Sequence, residues 1–232
     1  MNPILQKIQS HGYWHVIVRP TEFSEDRITS PQQCKTIVQE CNVKYRGLSY
    51  PWFNFMKNPD YGANYVEQYN EQGEVIEGWR FYQSAQFAQC RALWEDWLDP
   101  NIKYSDTRLV KPGECLSVVG TVYFLTELYE FAARIAEKGV LGKDCEILVA
   151  LRNSNGRKLA SLNPLGCFSG EYRLTKETIS PQRLILSSAD LMANSSELAL
   201  AHVVWIFERF GLDNLKPDIY RDEQRKLLEK RL

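Results

Sequence analysis

Residues 65–83 read YVEQYNEQGEVIEGWRFYQ, and this stretch indicates how the chain folds. Two runs of alternating residues flank the segment Asn70–Gly73, and alternation with a period of two is typical of β-strands. A short loop that contains a glycine joins antiparallel neighbours in a sheet. The stretch therefore predicts a β-hairpin with a loop of four residues.

A strand, a helix and a long loop are predicted upstream of this hairpin. YWHVIV (residues 13–18) alternates and predicts a strand that places Trp14 on the same face as its apolar neighbours. Ser30 before a proline, followed by apolar residues at steps of three and four, predicts the N-cap of an amphipathic helix. VKYRG (residues 43–47) predicts a second strand, and residues 48–62, rich in proline and aromatics, predict a packed loop.

Two segments downstream of the hairpin differ in how clearly their pattern can be interpreted. SAQFAQCRALWEDWL (residues 84–98) fits both a strand and a helical stripe, and continuity with the preceding hairpin favours the strand. Val118–Lys138 carries apolar residues at helical spacing with Gly139 just beyond, which predicts an amphipathic helix that packs on a sheet.

The second half of the chain is predicted to add a hairpin and two more strands. CEILVAL (residues 145–151) and RKLASL (residues 157–162) flank the turn-forming segment Asn153–Gly156 and predict a second hairpin. Residues 170–174 and 183–187 have strand-like composition.

Two helices are predicted at the carboxyl end. The chain turns helical from Ser188, with a capping serine at Ser195 or Ser196 and a stop at Gly211. Residues 217–232 can form a last helix, but its apolar edge is thin, so a surface-lying or frayed helix is expected.

The order of these elements decides the predicted fold class. Hairpins and helices follow one another without a repeat or a Pro/Ser-rich linker, so we predict a single α+β domain over residues 1–232. Its sheet is expected to be mostly antiparallel and covered by two or more helices. Hydrophobic residues make up 44% of the chain, which is enough for a core that folds without a cofactor.

Composition also limits the partners that we expect. The formal net charge is -1 with both signs interspersed, so a nucleic-acid partner is left open but not supported, and no membrane partner is expected. The six cysteines lack metal-site spacing and are expected to be reduced, and the amino terminus has no secretory pattern. These features predict a soluble cytoplasmic protein, and a homodimer is left open.

The sequence contains no recognisable catalytic motif. It has three histidines, no G-x-S-x-G motif and no glycine-rich phosphate-binding motif. Glu95, Asp96 and Asp99 form a cluster that could bind a metal ion, although such clusters more often mark a solvated edge. We therefore predict neither catalytic residues nor metal ligands.

Arginines among aromatics are the most suggestive recognition groups. Arg19, Arg46 and Arg80 lie beside proline or aromatic residues, and such groups can bind anions or stack on planar ligands. Alternation along the strand places Arg80 and Tyr82 on one face, and these four residues are the candidate ligand-binding site. The alternative is that each arginine caps a strand end or pairs with a carboxylate.

Two segments carry a resemblance. YRGLSYPWFN (residues 45–54) and WRFYQSAQF (residues 79–87) resemble segments of bacterial proteins of unassigned activity. The resemblance implies a bacterial protein and transfers no catalytic residue.

These observations lead to one functional hypothesis and two alternatives. Recognition groups are plentiful, whereas arrangements of nucleophile, base and metal ligands are missing, which favours a non-enzymatic binding domain with a sensor or accessory role. One alternative is a metal-dependent enzyme that acts on nucleic acid or another phosphoester. The other is a structural subunit of a homo-oligomer.

Overall fold

The computed structural model of the chain describes residues 2–98, 111–160, 171–180, 183–212 and 217–230. Its strands are β1 (Tyr13–Pro20), β2 (Asp60–Tyr61), β3 (Tyr65–Gln72), β4 (Val75–Tyr82), β5 (Phe87–Ala92), β6 (Cys115–Ser117), β7 (Asp144–Arg152), β8 (Lys158–Ala160) and β9 (Leu184–Ser187). Its helices are α1 (Pro3–Gln9), α2 (Pro31–Cys41), α3 (Val118–Glu137), α4 (Ser188–Glu208) and α5 (Pro217–Leu228).

Seven of the strands form one antiparallel sheet in the order β2-β3-β4-β5-β1-β7-β9, while β6 and β8 form a separate parallel pair. Helices α2 and α3 pack on one face of the sheet, and α4 packs on α3. The short helix α1 packs on the opposite face, where Ile8 contacts Ile76 and Ala92. The predicted α+β class with a mostly antiparallel sheet is confirmed.

Alternation decides which face of β1 is buried. Trp14, Val16 and Val18 are buried against the helices, and the residues between them are only half-buried on the other face. The prediction of a strand with these three residues on one face is confirmed. This face of β1 is part of the hydrophobic core.

The predicted hairpin at residues 65–83 is confirmed, with a shorter loop than expected. Gln72 pairs with Val75, so Gly73 and Glu74 alone make the turn, and Gly73 adopts a positive φ of 57°. In the ambiguous segment 84–98 the strand is confirmed as β5, and a single 3-10 turn follows at Trp94–Asp96.

Helix α3 begins where the hydroxyl of Ser117 accepts a hydrogen bond from the backbone N–H of Gly120. It ends before Gly139, which has a positive φ of 74°. Leu128 and its apolar neighbours along the predicted stripe are fully buried, so the predicted helix is confirmed.

Three strand predictions are wrong. Within residues 171–174 only an isolated bridge forms, between Arg173 and Lys158. Residues 43–47 form no strand, because the chain folds back at once and only Val43 pairs with Tyr50. The hairpin around Asn153–Gly156 does not form either, since β1 pairs along one side of β7 and Ile179 pairs with Leu151 on the other side, next to the turn. Strand β8 therefore pairs with β6 instead.

The carboxyl-terminal helices also depart from expectation. Helix α4 is capped by Ser187, whose hydroxyl accepts from the N–H of Asp190 at 3.0 Å, and where a cap at Ser195 or Ser196 was expected the helix has a kink at Asn194. Helix α5 packs against α3 and α4, and the side-chain amide of Gln224 donates to the hydroxyl of Thr126 at 3.0 Å. No helix of the described ranges has the length and apolar character needed to cross a membrane.

Candidate functional site

Two adjoining cavities lie between the sheet and the amino-terminal half of α3. The larger has a volume of about 180 Å³ and the smaller about 160 Å³. Arg46, Val75 and Arg91 line both cavities, and the two cavities together are here called the central cavity. Its walls are part apolar and part charged.

The apolar wall comes from the sheet and from α3. Trp14 of β1 and Phe124 of α3 stack with ring centroids 5.1 Å apart and an interplanar angle of 21°. Both rings line the larger cavity, and Leu93 and Leu116 extend the same surface. The larger cavity is therefore apolar on this side.

The first charged group is Arg46, which lies in the loop after α2. Its Nε donates to Oε1 of Glu127 at 2.8 Å, and its Nη2 donates to Oε2 at 2.6 Å. This bidentate pair fixes the plane of the guanidinium. The Arg46 side chain is 30% exposed but that of Glu127 only 1%, so the cation is the accessible partner.

The second charged group is Arg91 of β5, directly opposite Glu77 of β4 in the sheet. Its Nη1 lies 3.0 Å from Oε2 of Glu77, a distance of an ion pair, although the angle is not that of a hydrogen bond. Oε1 of Glu77 accepts from the backbone N–H of Trp52 at 2.6 Å. Burial raises the pKa of Glu77, and Arg91 opposes that effect. Here too the arginine, 16% exposed, is the accessible partner.

Glu95 is a buried carboxyl in the wall of the larger cavity. Its Oε1 accepts from the backbone N–H of Ser117 at 2.6 Å, whereas its Oε2 is buried and has no hydrogen-bond partner among the described residues. Burial raises the pKa of Glu95 to about 7, so the neutral acid is available near neutral pH. A buried oxygen without a partner costs stability, and such a group is a candidate for a functional role.

The neighbouring Asp96 holds Glu95 in place through a buried ion pair. Oδ1 of Asp96 accepts from Nη1 of Arg157 at 2.9 Å and from the N–H of Gly113 at 2.7 Å. Oδ2 accepts from Nη2 of Arg157 and, at 2.9 Å, from the N–H of Gly12. Through these hydrogen bonds, both oxygens link the 3-10 turn to Gly12 before β1 and to Arg157 before β8.

This arrangement bears on the acidic cluster that the sequence suggests as a metal site. Asp96 is saturated by Arg157 and backbone donors, and Asp99 lies outside the described residues. Within the part of the chain that the structure describes, no three His, Cys, Asp or Glu side chains are grouped to hold a metal ion.

Arg80 and Tyr82 lie together on the face of the sheet opposite the central cavity. Nε and Nη2 of Arg80 donate to Oε2 of Glu67 at 2.8 and 2.6 Å, and Nη1 donates to the hydroxyl of Tyr82 at 3.1 Å. The guanidinium also stacks on Tyr65, 4.1 Å from the ring centroid. Neither Arg80 nor Tyr82 lines the central cavity, and a ligand site around them stays a prediction.

The structure does not bring the candidate arginines together. Arg19 lies on the same face as Arg80 but two strands away, and it pairs with Glu146, which also contacts Arg183. Arg46 reaches the opposite face because its loop runs beside α3. Of the four candidate residues, only Arg46 lines the central cavity.

His202 in the apolar helix α4 is a core residue. Its Nδ1 lies 2.9 Å from the hydroxyl of Tyr129, and burial lowers its pKa to about 4. It therefore stays neutral at physiological pH and braces α4 against α3.

Sequence reasoning missed Arg91, which lines the cavity, and its buried partner Glu77. A usable signal was present, because alternation places Glu77 on the same core-facing side of β4 as Trp79 and Phe81. A charged residue at a core-facing position needs a partner and indicates a buried polar site. The register that supplies Arg91 as this partner is a property of the folded sheet.

Comparisons of the chain with protein families, with curated proteins and with solved structures found no match.

Proposed function

We propose that this protein is a non-enzymatic binding domain, with a sensor or accessory role in the cytoplasm, that holds a small molecule in the central cavity. One observation supports this most strongly. Arg46 and Arg91 are the accessible members of their ion pairs, whereas the side chains of their partners Glu127 and Glu77 are 1% and 0% exposed. Charged groups held in this way are pre-organised for recognition, since little conformational freedom is lost when a ligand binds.

The wall as a whole has the composition of a small-molecule site. Such sites combine an apolar surface with a few fixed polar groups that orient the ligand. The stacked pair Trp14 and Phe124 supplies the apolar surface, and the two arginines with Glu95 supply the polar groups. A cavity of about 150 Å³ is enough to hold benzene, so the central cavity has room for a molecule with one ring.

A metal-dependent enzyme that uses Glu95, Asp96 and Asp99 is the rival function. The contacts of Asp96 with Arg157 favour binding over this rival, because a metal ion would have to displace a buried ion pair. Thermal unfolding with and without magnesium or manganese separates the two functions. A rise in melting temperature with either ion, lost in Asp96→Asn, would favour the enzyme.

A fragment screen tests the binding function directly. Ligand-observed NMR would be recorded with small acidic, neutral and basic fragments against the parent protein and against Val75→Phe, which places a larger side chain where both cavities meet. Ile185→Phe is the matched control, because Ile185 is 56% exposed and lies outside the cavity. We expect fragments that bind the parent and the control but not Val75→Phe. Binding that is equal in all three proteins, or no binding at all, would overturn the proposal.

A further inference from the structure

In both ion pairs of the central cavity, the partner that a ligand can reach is the hydrogen-bond donor. The accessible ionic partners are Arg46 and Arg91, whereas Glu127 and Glu77 are 1% and 0% exposed. The pair with Glu127 uses Nε and Nη2 of Arg46, so the two N–H groups on Nη1 take no part in it. Donors of this kind bind an acceptor-rich group such as an oxyanion.

The orientation of both guanidinium groups is fixed by rings as well as by carboxylates. Arg91 lies over Tyr50 and Phe124, with its Cζ 5.9 and 5.8 Å from the two ring centroids. Arg46 lies over Tyr123 at 5.5 Å. A planar guanidinium held in place matches the planar geometry of a carboxylate better than a mobile point charge does.

The charge balance of the wall limits the charge that the ligand can carry. The two arginines are already neutralised by Glu127 and Glu77, and the wall contains two further carboxyls, Glu74 and Glu95. A dianion such as phosphate would add two negative charges to this set, with no unpaired arginine to offset them. A single charge is tolerated better, since Glu95 can be neutral near pH 7.

The apolar wall determines the size and polarity of the part of the ligand that does not carry the charge. Trp14 and Phe124 line the larger cavity with apolar surface, and its volume of about 180 Å³ has room for about one ring. We propose that the ligand is a small monocarboxylic acid with a flat apolar body, whose carboxylate is bound by Arg46 and Arg91. This inference rests on the proposed binding function and adds the chemical class of the ligand.

Three isosteric probes test the inference. Benzoate, benzamide and benzamidine share a ring and a size but carry one negative charge, no charge and one positive charge. Calorimetric titration of the parent protein at pH 6.5 should give an affinity for benzoate roughly tenfold to a hundredfold higher than for benzamide, the range expected for charge-assisted hydrogen bonds. Benzamidine should bind more weakly than either.

The variant that removes the donor is Arg46→Gln combined with Glu127→Gln, because Arg46→Gln alone would leave a buried carboxylate unpaired. The double variant should lose about tenfold in benzoate affinity and leave benzamide unchanged. Far-ultraviolet circular dichroism and the melting temperature confirm that the variant is folded. If it is unfolded, Val75→Phe provides the test, since it should abolish benzoate binding while Ile185→Phe does not.

Each outcome has a defined meaning. If benzamidine binds most tightly, or if the double variant binds benzoate as the parent does, the carboxylate inference is wrong. If neutral or basic fragments bind in a way that Val75→Phe abolishes while benzoate does not bind, the inference fails and the binding function stands. If no probe and no fragment is sensitive to Val75→Phe, both fail.

Discussion

Replacing Glu95 by glutamine should make the protein more stable above neutral pH, although the residue is buried. The pKa of Glu95 is raised by burial from 4.5 to about 7. Between these pH values the unfolded chain has lost a proton that the folded chain keeps, so the free energy of unfolding falls as pH rises through this window. Glutamine at position 95 has no proton to lose, and its contribution is therefore constant.

The magnitude follows from the size of the shift. Each unit of pKa difference corresponds to about 1.4 kcal/mol, so a rise from 4.5 to about 7 contributes about 3 kcal/mol. Near pH 4 the parent and Glu95→Gln should be similar in stability, because both side chains are neutral. At pH 8 the variant should be more stable than the parent by about 3 kcal/mol.

Urea unfolding of both proteins at several pH values between 4 and 8 measures this difference directly, because the other titrating groups cancel between parent and variant. Glu114→Gln is an informative control of opposite sign. A hydrogen bond from the backbone N–H of Lys111 lowers the pKa of Glu114, so this variant should lose stability relative to the parent as pH rises. A difference between parent and Glu95→Gln that stays flat from pH 4 to pH 8 would refute the reasoning.

Three further substitutions test how the fold is held together, each by urea unfolding. Leu128→Ala should cost about 2–5 kcal/mol because it opens a cavity in the fully buried face of α3, and a loss below about 0.5 kcal/mol would contradict that packing. Arg157→Met should cost about 3–5 kcal/mol because it leaves Asp96 charged and unpaired in the interior, so a neutral result would contradict the role of this pair. Arg80→Ala should change stability by only about 0–1 kcal/mol because the arginine is 33% exposed, and a larger loss would show that its contacts with Glu67 and Tyr82 are structural.

Local periodicity was enough to predict the elements that face the core on one side only. The strand at residues 13–18 and helix α3 were predictable because their apolar residues recur with a period of two in one case and near 3.6 in the other. The same argument placed the hairpin at residues 65–83, although the turn proved two residues shorter.

Pairings between distant parts of the chain could not be predicted in the same way. The segment Asn153–Gly156 has good turn chemistry, but Ile179 pairs with Leu151 on the side of β7 where a hairpin partner would lie, and β8 pairs with β6 instead. Arg157 is pulled into the core by Asp96, a residue 61 positions earlier. Strand pairings and ion pairs between residues this far apart in the sequence cannot be predicted from local composition.

The candidate site was predictable only in part for a related reason. Arg46 was recognised from its aromatic neighbours, yet its grouping with Arg91 depends on the register between β4 and β5 and on the position of α3. Arg19 and Arg80 share the same sequence character but are directed to the other face by the alternation of their strands.

The most direct test of the central cavity is the NMR signal of each arginine Nε–H during a titration with benzoate. The Nε–H of Arg46 is hydrogen-bonded to Glu127, which makes it a suitable reporter, and the Nε–H of Arg80 is hydrogen-bonded to Glu67 on the opposite face. We predict a saturable shift of the Arg46 signal, an unchanged Arg80 signal, and loss of the Arg46 response in Val75→Phe. A saturable shift of Arg80 with no change at Arg46 would contradict the account and would place the ligand site on the opposite face of the sheet.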